Sequence, residues 1–242
     1  MRLTAAPALA ALSGRSSSSQ RRVRVFVPGR GSFVPARRRT AVLLQLIYLI
    51  AISAEAMTGA LAAGKRRMDL FGVVIIASVT ALGGGSLRDI VLGHYPLGWV
   101  RHPEYLGYTI GAAIAATFLA KKLHRLRRAF LWLDALGLIA FTLIGCSVAR
   151  EGGHAPVIVV IAGMLTGAFG GVLRDVLCNE IPLVFQRELY AVISLLTGVA
   201  YLAMLRFGVA ENLAVLLCLG GGFSFRLFAI RYEWEMPKFV YQ

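Results

Sequence analysis

The sequence predicts an all-α membrane protein with seven transmembrane helices, arranged as two inverted three-helix repeats plus a seventh helix. Three observations predict this fold. Of the 242 residues, 57% are hydrophobic and 16% are charged, and the mean hydropathy is +0.70, whereas a soluble domain carries about 25% charged residues. The apolar residues come in blocks of the length that crosses a bilayer. Finally, an 18-residue stretch recurs 86 residues later.

Seven apolar blocks, separated by brief polar connections, account for most of the chain. A helix needs roughly 17–25 mostly apolar residues to cross a hydrocarbon core about 30 Å thick. The blocks are 42–63, 69–87, 105–120, 129–149, 155–173, 188–205 and 212–230. The third block is short, so we expect it to extend by about one turn at either end. The connections leave no room for a soluble domain.

The recurring stretch divides the chain into parts. TALGGGSLRDIVLGHYPL (80–97) and TGAFGGVLRDVLCNEIPL (166–183) are identical at eight of eighteen positions, which indicates an internal duplication. Each copy contains three predicted helices, and an odd number makes the second copy enter the membrane from the opposite side. The predicted parts are a basic disordered tail at 1–40, repeats at 42–125 and 126–206, and a seventh helix with the C-terminal tail at 207–242.

The first 40 residues contain nine arginines and no acid, and they are rich in Ser, Gly and Pro. Such a composition predicts disorder. The tail is a targeting peptide, a contact for anionic lipid, or the result of a start codon assigned too far upstream. No folded basic surface follows it, so we expect no nucleic-acid partner.

The distribution of basic residues predicts the orientation. Short cytoplasmic loops are enriched in Lys and Arg. The loops after the first and third blocks contain eight such residues: Lys65, Arg66, Arg67, Lys121, Lys122, Arg125, Arg127 and Arg128. The opposite loops contain little more than Arg101, Arg150 and Arg206. We therefore expect the N-terminus outside and the C-terminus in the cytoplasm, although the basic run 37–39 favours the reverse unless the mature protein lacks the tail.

Glycines cluster at corresponding places in the two copies. Gly83, Gly84 and Gly85 lie in the second block, and Gly170 and Gly171 lie in the fifth. Matching interruptions in two inverted halves indicate a permeation or binding site, because freed carbonyl groups can replace part of an ion's hydration shell. We therefore predict that both helices break here. The alternative is that the glycines only allow tight helix packing.

Charged residues follow the glycines in both copies, and a further acid lies inside the first block. Arg88 with Asp89 and Arg174 with Asp175 are predicted to form pairs that hold the broken helices in place; the alternative is that they attract ions at a vestibule. An acid within a transmembrane helix is a candidate functional residue. Glu55 is therefore a candidate contact for a cation, a proton or an arginine.

Two further charged residues and the absence of catalytic motifs also bear on the function. Asp134, near the start of the fourth block, is either a second functional acid or a helix-end residue. Arg226 follows a third glycine triplet and is predicted to reach the cytoplasmic surface. The chain carries no pairing of nucleophile and base, and GGGSLRD lacks the Lys and terminal Ser/Thr of a phosphate-binding loop. We therefore expect no enzyme, no catalytic residue, no metal site and no cofactor.

Four motifs resemble one known family. AEAMTGALAAGKRRMDLFG, TALGGGSLRD, LDALGLIAFTLIGC and GGVLRDVL are similar to the prokaryotic relatives of the trimeric intracellular cation channels, a family also described as having paired glycine-transporter-like domains. The resemblance covers about residues 42–240. It implies a homotrimer with one pore per protomer, lined by the glycines of the second and fifth helices. Phe169 stands where the first copy has Gly83 and is predicted to be an apolar constriction.

Two functions fit these expectations. The first is a passive cation-selective channel for potassium or sodium in a bacterial plasma membrane, with its pore between the glycine-broken second and fifth helices. The second is a secondary transporter for a small solute such as glycine, using the same helices. The expected partners are other copies of the chain, membrane lipids, and the permeating monovalent cation or small solute.

Overall fold

The computed structural model describes residues 35–120, 126–186, 189–232 and 234, which belong to one compact unit beginning at Pro35. These residues form nine helices and no strand. The helices are α1 (Pro35–Lys65), α2 (Leu70–Leu92), α3 (Gly98–Arg101), α4 (Glu104–Ala120), α5 (Leu126–Glu151), α6 (Pro156–Leu177), α7 (Leu183–Gln186), α8 (Leu189–Arg206) and α9 (Glu211–Arg231).

Six of these helices are long and apolar enough to cross a membrane: α1, α2, α5, α6, α8 and α9. The third predicted block corresponds to α4, which has 17 residues and is not among the six. Large apolar side chains cover the exterior, and Phe71 and Phe207 are 74% and 86% exposed. An exterior of this kind is compatible with lipid rather than with water.

The predicted breaks at the glycines are wrong. α2 continues through Gly83–Gly85 to Leu92, and α6 continues through Gly170 and Gly171 to Leu177. Both Arg-Asp pairs therefore lie within helices instead of after breaks. In an apolar environment an unpaired backbone group is costly, so a helix persists through glycine unless other groups satisfy its backbone.

The N-terminal boundary also differs from the prediction. α1 begins at Pro35, so residues 35–40 are helical rather than disordered. The rest of the predicted tail lies outside the described residues, as do Lys121, Lys122 and Arg125 of the basic loop. Arg127 and Arg128, at the start of α5, are exposed.

The long helices pack in two groups that meet along two seams. α1 packs against α2 and α4, and α6 packs against α5 and α8. The groups are joined where α1 packs on α5 and where α2 crosses α6, while α9 packs on α8 and α5. Corresponding helices of the two copies thus meet each other at the centre of the molecule.

The ends of α2 and α6 have the same local structure. The amides of His94 and Glu180 donate to the carbonyl groups of Asp89 and Asp175, both at 2.8 Å. The residue before each amide, Gly93 or Asn179, has a positive φ, 66° and 52°. A short helix then follows in each copy, α3 or α7. The two copies therefore resemble each other in local structure as well as in sequence.

Candidate functional site

The two glycine clusters meet where α2 crosses α6. A methyl group at Gly84 would overlap the carbonyl oxygen of Thr166, and one at Gly170 would overlap the carbonyl oxygen of Thr80. The two contacts are equivalent under the 86-residue offset, because Thr80 corresponds to Thr166 and Gly84 corresponds to Gly170. Only glycine allows the two backbones to approach this closely. The close-packing alternative therefore describes Gly84 and Gly170.

The other predicted pore glycines have different neighbours. A methyl group at Gly83 would meet the flexible end of Leu173. One at Gly171 would lie 3.4 Å from both Arg174 Nη2 and the Tyr190 hydroxyl. Gly85 has the corresponding relation to Arg88, at 3.8 Å. Phe169, the predicted constriction, is half-buried.

Arg174 is the centre of a buried charge cluster. Its side chain is fully buried, and its Nε donates to Asp175 at 2.8 Å. Its Nη1 donates to Asp134 at 2.9 Å and to the Thr58 hydroxyl at 3.0 Å. The guanidinium also stacks 4.6 Å from the centre of the Phe130 ring. The predicted pair of Arg174 and Asp175 thus forms, but it extends into α5 and α1.

Glu55 reaches the same cluster from α1. It is 2% exposed, and its Oε2 lies 3.9 Å from Arg174 Nη1. The Thr58 hydroxyl donates to the same oxygen at 3.1 Å. Gly137 of α5 makes the room, because a methyl group there would overlap the Glu55 carboxylate. A cation, a proton and an arginine were the expected contacts of Glu55, and in the structure its carboxylate lies near an arginine.

Asp134 is a buried member of the cluster and not a helix-end residue. It lies inside α5, is 1% exposed, and bonds Arg174. Three carboxylates therefore surround one guanidinium. Buried charges are costly unless they are paired and hydrogen-bonded.

Arg88 forms a smaller cluster at the corresponding place in the first copy. Its Nε and Nη2 both donate to Asp89 Oδ1, at 3.0 and 2.7 Å. His94 Nδ1 lies 3.2 Å from the same oxygen, and the Gly98 amide donates to Oδ2 at 3.1 Å. The predicted pair forms here too, and all the residues of this cluster come from one continuous segment, 88–98.

The two clusters differ in their number of acids because two positions differ between the copies. At the 86-residue offset Glu55 corresponds to Phe141, and Asp134 corresponds to Tyr48. Tyr48 and Phe141 contact each other, with ring centres 6.0 Å apart. The seam between α1 and α5 is thus acidic in one half and aromatic in the other. Aligning the copies outside the glycine motif identifies this difference from sequence.

Arg226 does not reach the surface as predicted. It is 2% exposed, and its guanidinium lies 4.7 Å from the centre of the Tyr190 ring. A cation over an aromatic face is stabilised when both are removed from water.

Ion pairs join the ends of several helices. Lys65, the last residue of α1, bonds Glu180 after α6 at 2.8 Å, and Arg66 donates to the Asn179 carbonyl at 2.9 Å. The Lys65 hydrogen bond holds the pKa of Glu180 below its ordinary value. At the end of α5, Arg150 pairs with Glu211, the first residue of α9.

A metal-binding cluster and an apolar groove are poorer candidates for an ion site than this centre. Within the described ranges no group of three or more His, Cys, Asp or Glu side chains is placed to hold a metal ion, and the three cysteines are buried and unpaired. A groove of about 290 Å³ lies between α1, α4 and α5. Its lining is entirely apolar: Met57, Leu61, Ala116, Leu119, Ala129, Trp132 and Leu133. Such a lining offers an ion no ligand, so the candidate site is the charged centre.

The long apolar helices, the apolar exterior and the similar proteins together define an integral membrane protein. The UPF0126 membrane protein of Vibrio cholerae serotype O1 is 37% identical over 202 residues, 82% of this chain and 83% of that protein. The UPF0126 inner membrane protein YadS of Escherichia coli K12 is 36% identical over 201 residues, 82% of this chain and 97% of that protein.

The model of the family described as "Glycine transporter" matches twice, at residues 45–121 and 131–206. The chain therefore belongs to this family, and it is similar to TRIC cation channels of known structure. The structure of the TRIC trimeric intracellular cation channel orthologue from Rhodobacter sphaeroides is 35% identical, with a TM-score of 0.77, over 80% of this chain and all of that one. A prokaryotic TRIC channel solved in 0.5 M KCl is 32% identical, with a TM-score of 0.76, over 81% of this chain and all of that one.

Proposed function

We propose that the protein is a passive channel for monovalent cations, potassium or sodium, in a bacterial plasma membrane. The observation that carries the proposal is the buried centre in which Glu55, Asp134 and Asp175 surround Arg174. An excess of carboxylates attracts cations and repels anions. The similar structures described as cation channels also support a channel, since their fold extends over four fifths of this chain.

The path for ions passes beside the α2–α6 crossing and between the two copies. Gly84 and Gly170 are in backbone contact, so we assign them the role of a pivot. Gly83, Gly85, Gly171 and Phe169 flank the pivot and would line the path when the helices separate. On one side of the pivot, Arg174 then holds α6 to α1 and α5 through Thr58 and Asp134.

Seven spans and inverted copies explain one contact that six spans do not. Lys65 and Glu180 bond at 2.8 Å and therefore lie on the same side of the membrane. Between them the chain passes through α2, α4, α5 and α6. If all four cross, the two residues end on the same side; if α4 does not cross, they end on opposite sides. We therefore propose that α4 crosses as well, which makes α2 and α6 antiparallel.

The remaining topology follows from the same reasoning. Arg150 and Glu211 pair, and two crossings, α6 and α8, lie between them. Seven spans with Lys65 and Arg66 in the cytoplasm place the C-terminus there and the N-terminus outside. The proposed parts are repeats at 42–125 and 126–206, with α9 as an assembly element. We also propose a homotrimer surrounded by membrane lipids, and the similar structure that is described as a trimeric channel supports the trimer.

Electrical recording from purified protein in a planar bilayer, under a potassium chloride gradient, tests the function. We expect unitary currents that reverse toward the potassium potential. Glu55→Gln should move the reversal potential toward zero, whereas the matched change of the exposed Glu151→Gln should not. A silent bilayer from folded protein contradicts the channel. Uptake of labelled glycine would then favour the transporter that the family description suggests.

A charge-exchange pair tests the seven spans. Lys65→Glu alone should destabilise the protein, and the addition of Glu180→Lys should restore it, because the two side chains then pair again on one side. A double variant as unstable as the sum of the single variants contradicts the proximity on which the topology rests.

A further inference from the structure

The centre of the molecule has two halves that correspond at the 86-residue offset. We define the Arg174 half as Glu55, Asp134, Arg174, Asp175 and Glu180. We define the Arg88 half as the corresponding residues Phe141, Tyr48, Arg88, Asp89 and His94. Both halves contain residues from each copy, so each is a place where the copies are joined or separate.

The guanidinium groups of the two halves are held differently. Each keeps one nitrogen without a hydrogen-bond partner among the described residues, Nη1 of Arg88 and Nη2 of Arg174. The other nitrogens of Arg174 bond α5 through Asp134 and α1 through Thr58, as well as Asp175. Those of Arg88 bond only Asp89, the next residue of its own helix. Among the described residues, Arg174 thus links three helices by hydrogen bonds, whereas the hydrogen bonds of Arg88 stay within one helix.

The surface ends of the halves repeat this difference. In the Arg174 half, Lys65 bonds Glu180 and Arg66 bonds the Asn179 carbonyl, so that the end of α1 is fastened to the end of α6. At the offset, Lys65 corresponds to Glu151 and Glu180 corresponds to His94. The Glu151 carboxylate accepts from Ser147 of its own helix, and His94 contacts Asp89 of the helix that it follows.

We propose that the Arg174 half is a fixed tie between the copies and that the Arg88 half is the one that separates to admit water. Separation there breaks the Tyr48–Phe141 ring contact and leaves the Arg88–Asp89 pair intact. Separation in the Arg174 half moves Arg174 away from Glu55 and Thr58 of α1 and leaves the buried Glu55 carboxylate without its cation, which is strongly unfavourable. The inference rests on the proposed channel function for the identity of the permeating ion. The place where the copies separate is inferred from the contacts of Arg88 and Arg174 alone.

Cysteines introduced at corresponding positions test whether the Arg88 half opens to water more readily than the Arg174 half. Ser86 and Val172 correspond at the offset, lie two residues before Arg88 and Arg174, and are both half-buried. Each is changed to cysteine, and a charged thiol reagent is applied to both faces of proteoliposomes. Labelling at the introduced position is read by peptide mass spectrometry, so the three native cysteines remain. We expect Ser86→Cys to react about tenfold faster or more than Val172→Cys. Equal rates, or the reverse order, overturn the proposal.

Two further variants test the cause of the difference. In the Val172→Cys background, Glu55→Gln with Thr58→Val removes the two partners of Arg174 on α1 and should raise labelling toward the rate at residue 86. In the Ser86→Cys background, Phe141→Glu gives Arg88 a partner on α5 and should lower labelling severalfold. If one variant does not fold, the other decides; unchanged labelling in a folded variant contradicts the tie.

The outcomes separate this inference from the proposed function. Unequal labelling with a silent bilayer supports the difference between the two halves and contradicts the channel function. Equal labelling in a conducting protein supports the channel function and overturns the proposed difference between the two halves.

Discussion

The crossing of α2 and α6 provides the sharpest test of the central packing. Gly84→Ala adds one methyl group against the Thr166 carbonyl oxygen, a backbone atom that cannot rotate away. Overpacking costs about 1–3 kcal/mol, and this contact belongs at the upper end because the obstacle is backbone. Replacing glycine by alanine within a helix returns about 1 kcal/mol. We therefore expect a net loss of about 2 kcal/mol in the free energy of unfolding.

Gly111→Ala is the matched control. Gly111 lies within α4, is exposed, and has nothing within 4 Å of an added methyl group. The control should therefore gain up to about 1 kcal/mol from helix propensity. Unfolding by increasing fractions of a denaturing detergent, followed by circular dichroism, measures both variants in the same micelles.

The double variant Gly84→Ala with Gly170→Ala makes the test more specific. Once the first methyl group has pushed the helices apart, the second costs less, so the double loss should be smaller than the sum of the single losses. If Gly84→Ala is as stable as Gly111→Ala, the backbones are not in contact and the proposed pivot is wrong.

Three further predictions concern the charged residues. Arg174→Gln should destabilise the protein by about 3–5 kcal/mol because it leaves buried carboxylates unpaired, and Arg88→Gln should cost distinctly less in the same unfolding assay; equal losses would contradict the difference between the clusters. Gly137→Ala should displace the Glu55 carboxylate and reduce the single-channel current, while folding is retained on gel filtration. The lowered pKa of Glu180 means that its stabilising contribution is present above the ordinary carboxyl value of about 4.3 and is lost as the pH falls through the folded-state pKa. This partly exposed pair should therefore give wild type an acid-dependent loss of less than about 1 kcal/mol that Glu180→Gln lacks.

The positions of the long helices follow from the sequence because burial in a bilayer requires long apolar segments. The predicted blocks 129–149 and 212–230 lie within α5 and α9, and each ends within three residues of its helix. The Arg-Asp pairs were also predictable, because two charges in an apolar region need partners. The duplication is visible in the letters alone, and the double match of the family model has the same offset at its start.

Only the tertiary structure decided what the glycines and the acids do. A glycine cluster is compatible with a broken helix and with a close crossing, and the choice depends on a second backbone that the local sequence does not contain. Thr166 and Thr80 supply that backbone, so the helices continue. Glu55 and Asp134 are far apart in the chain, and only the packing of α1 on α5 brings both to Arg174. The sequence by itself thus determined which segments are buried in the membrane, because that depends on composition over one helix. Contact between helices determined the site, because that depends on pairs of residues distant in sequence.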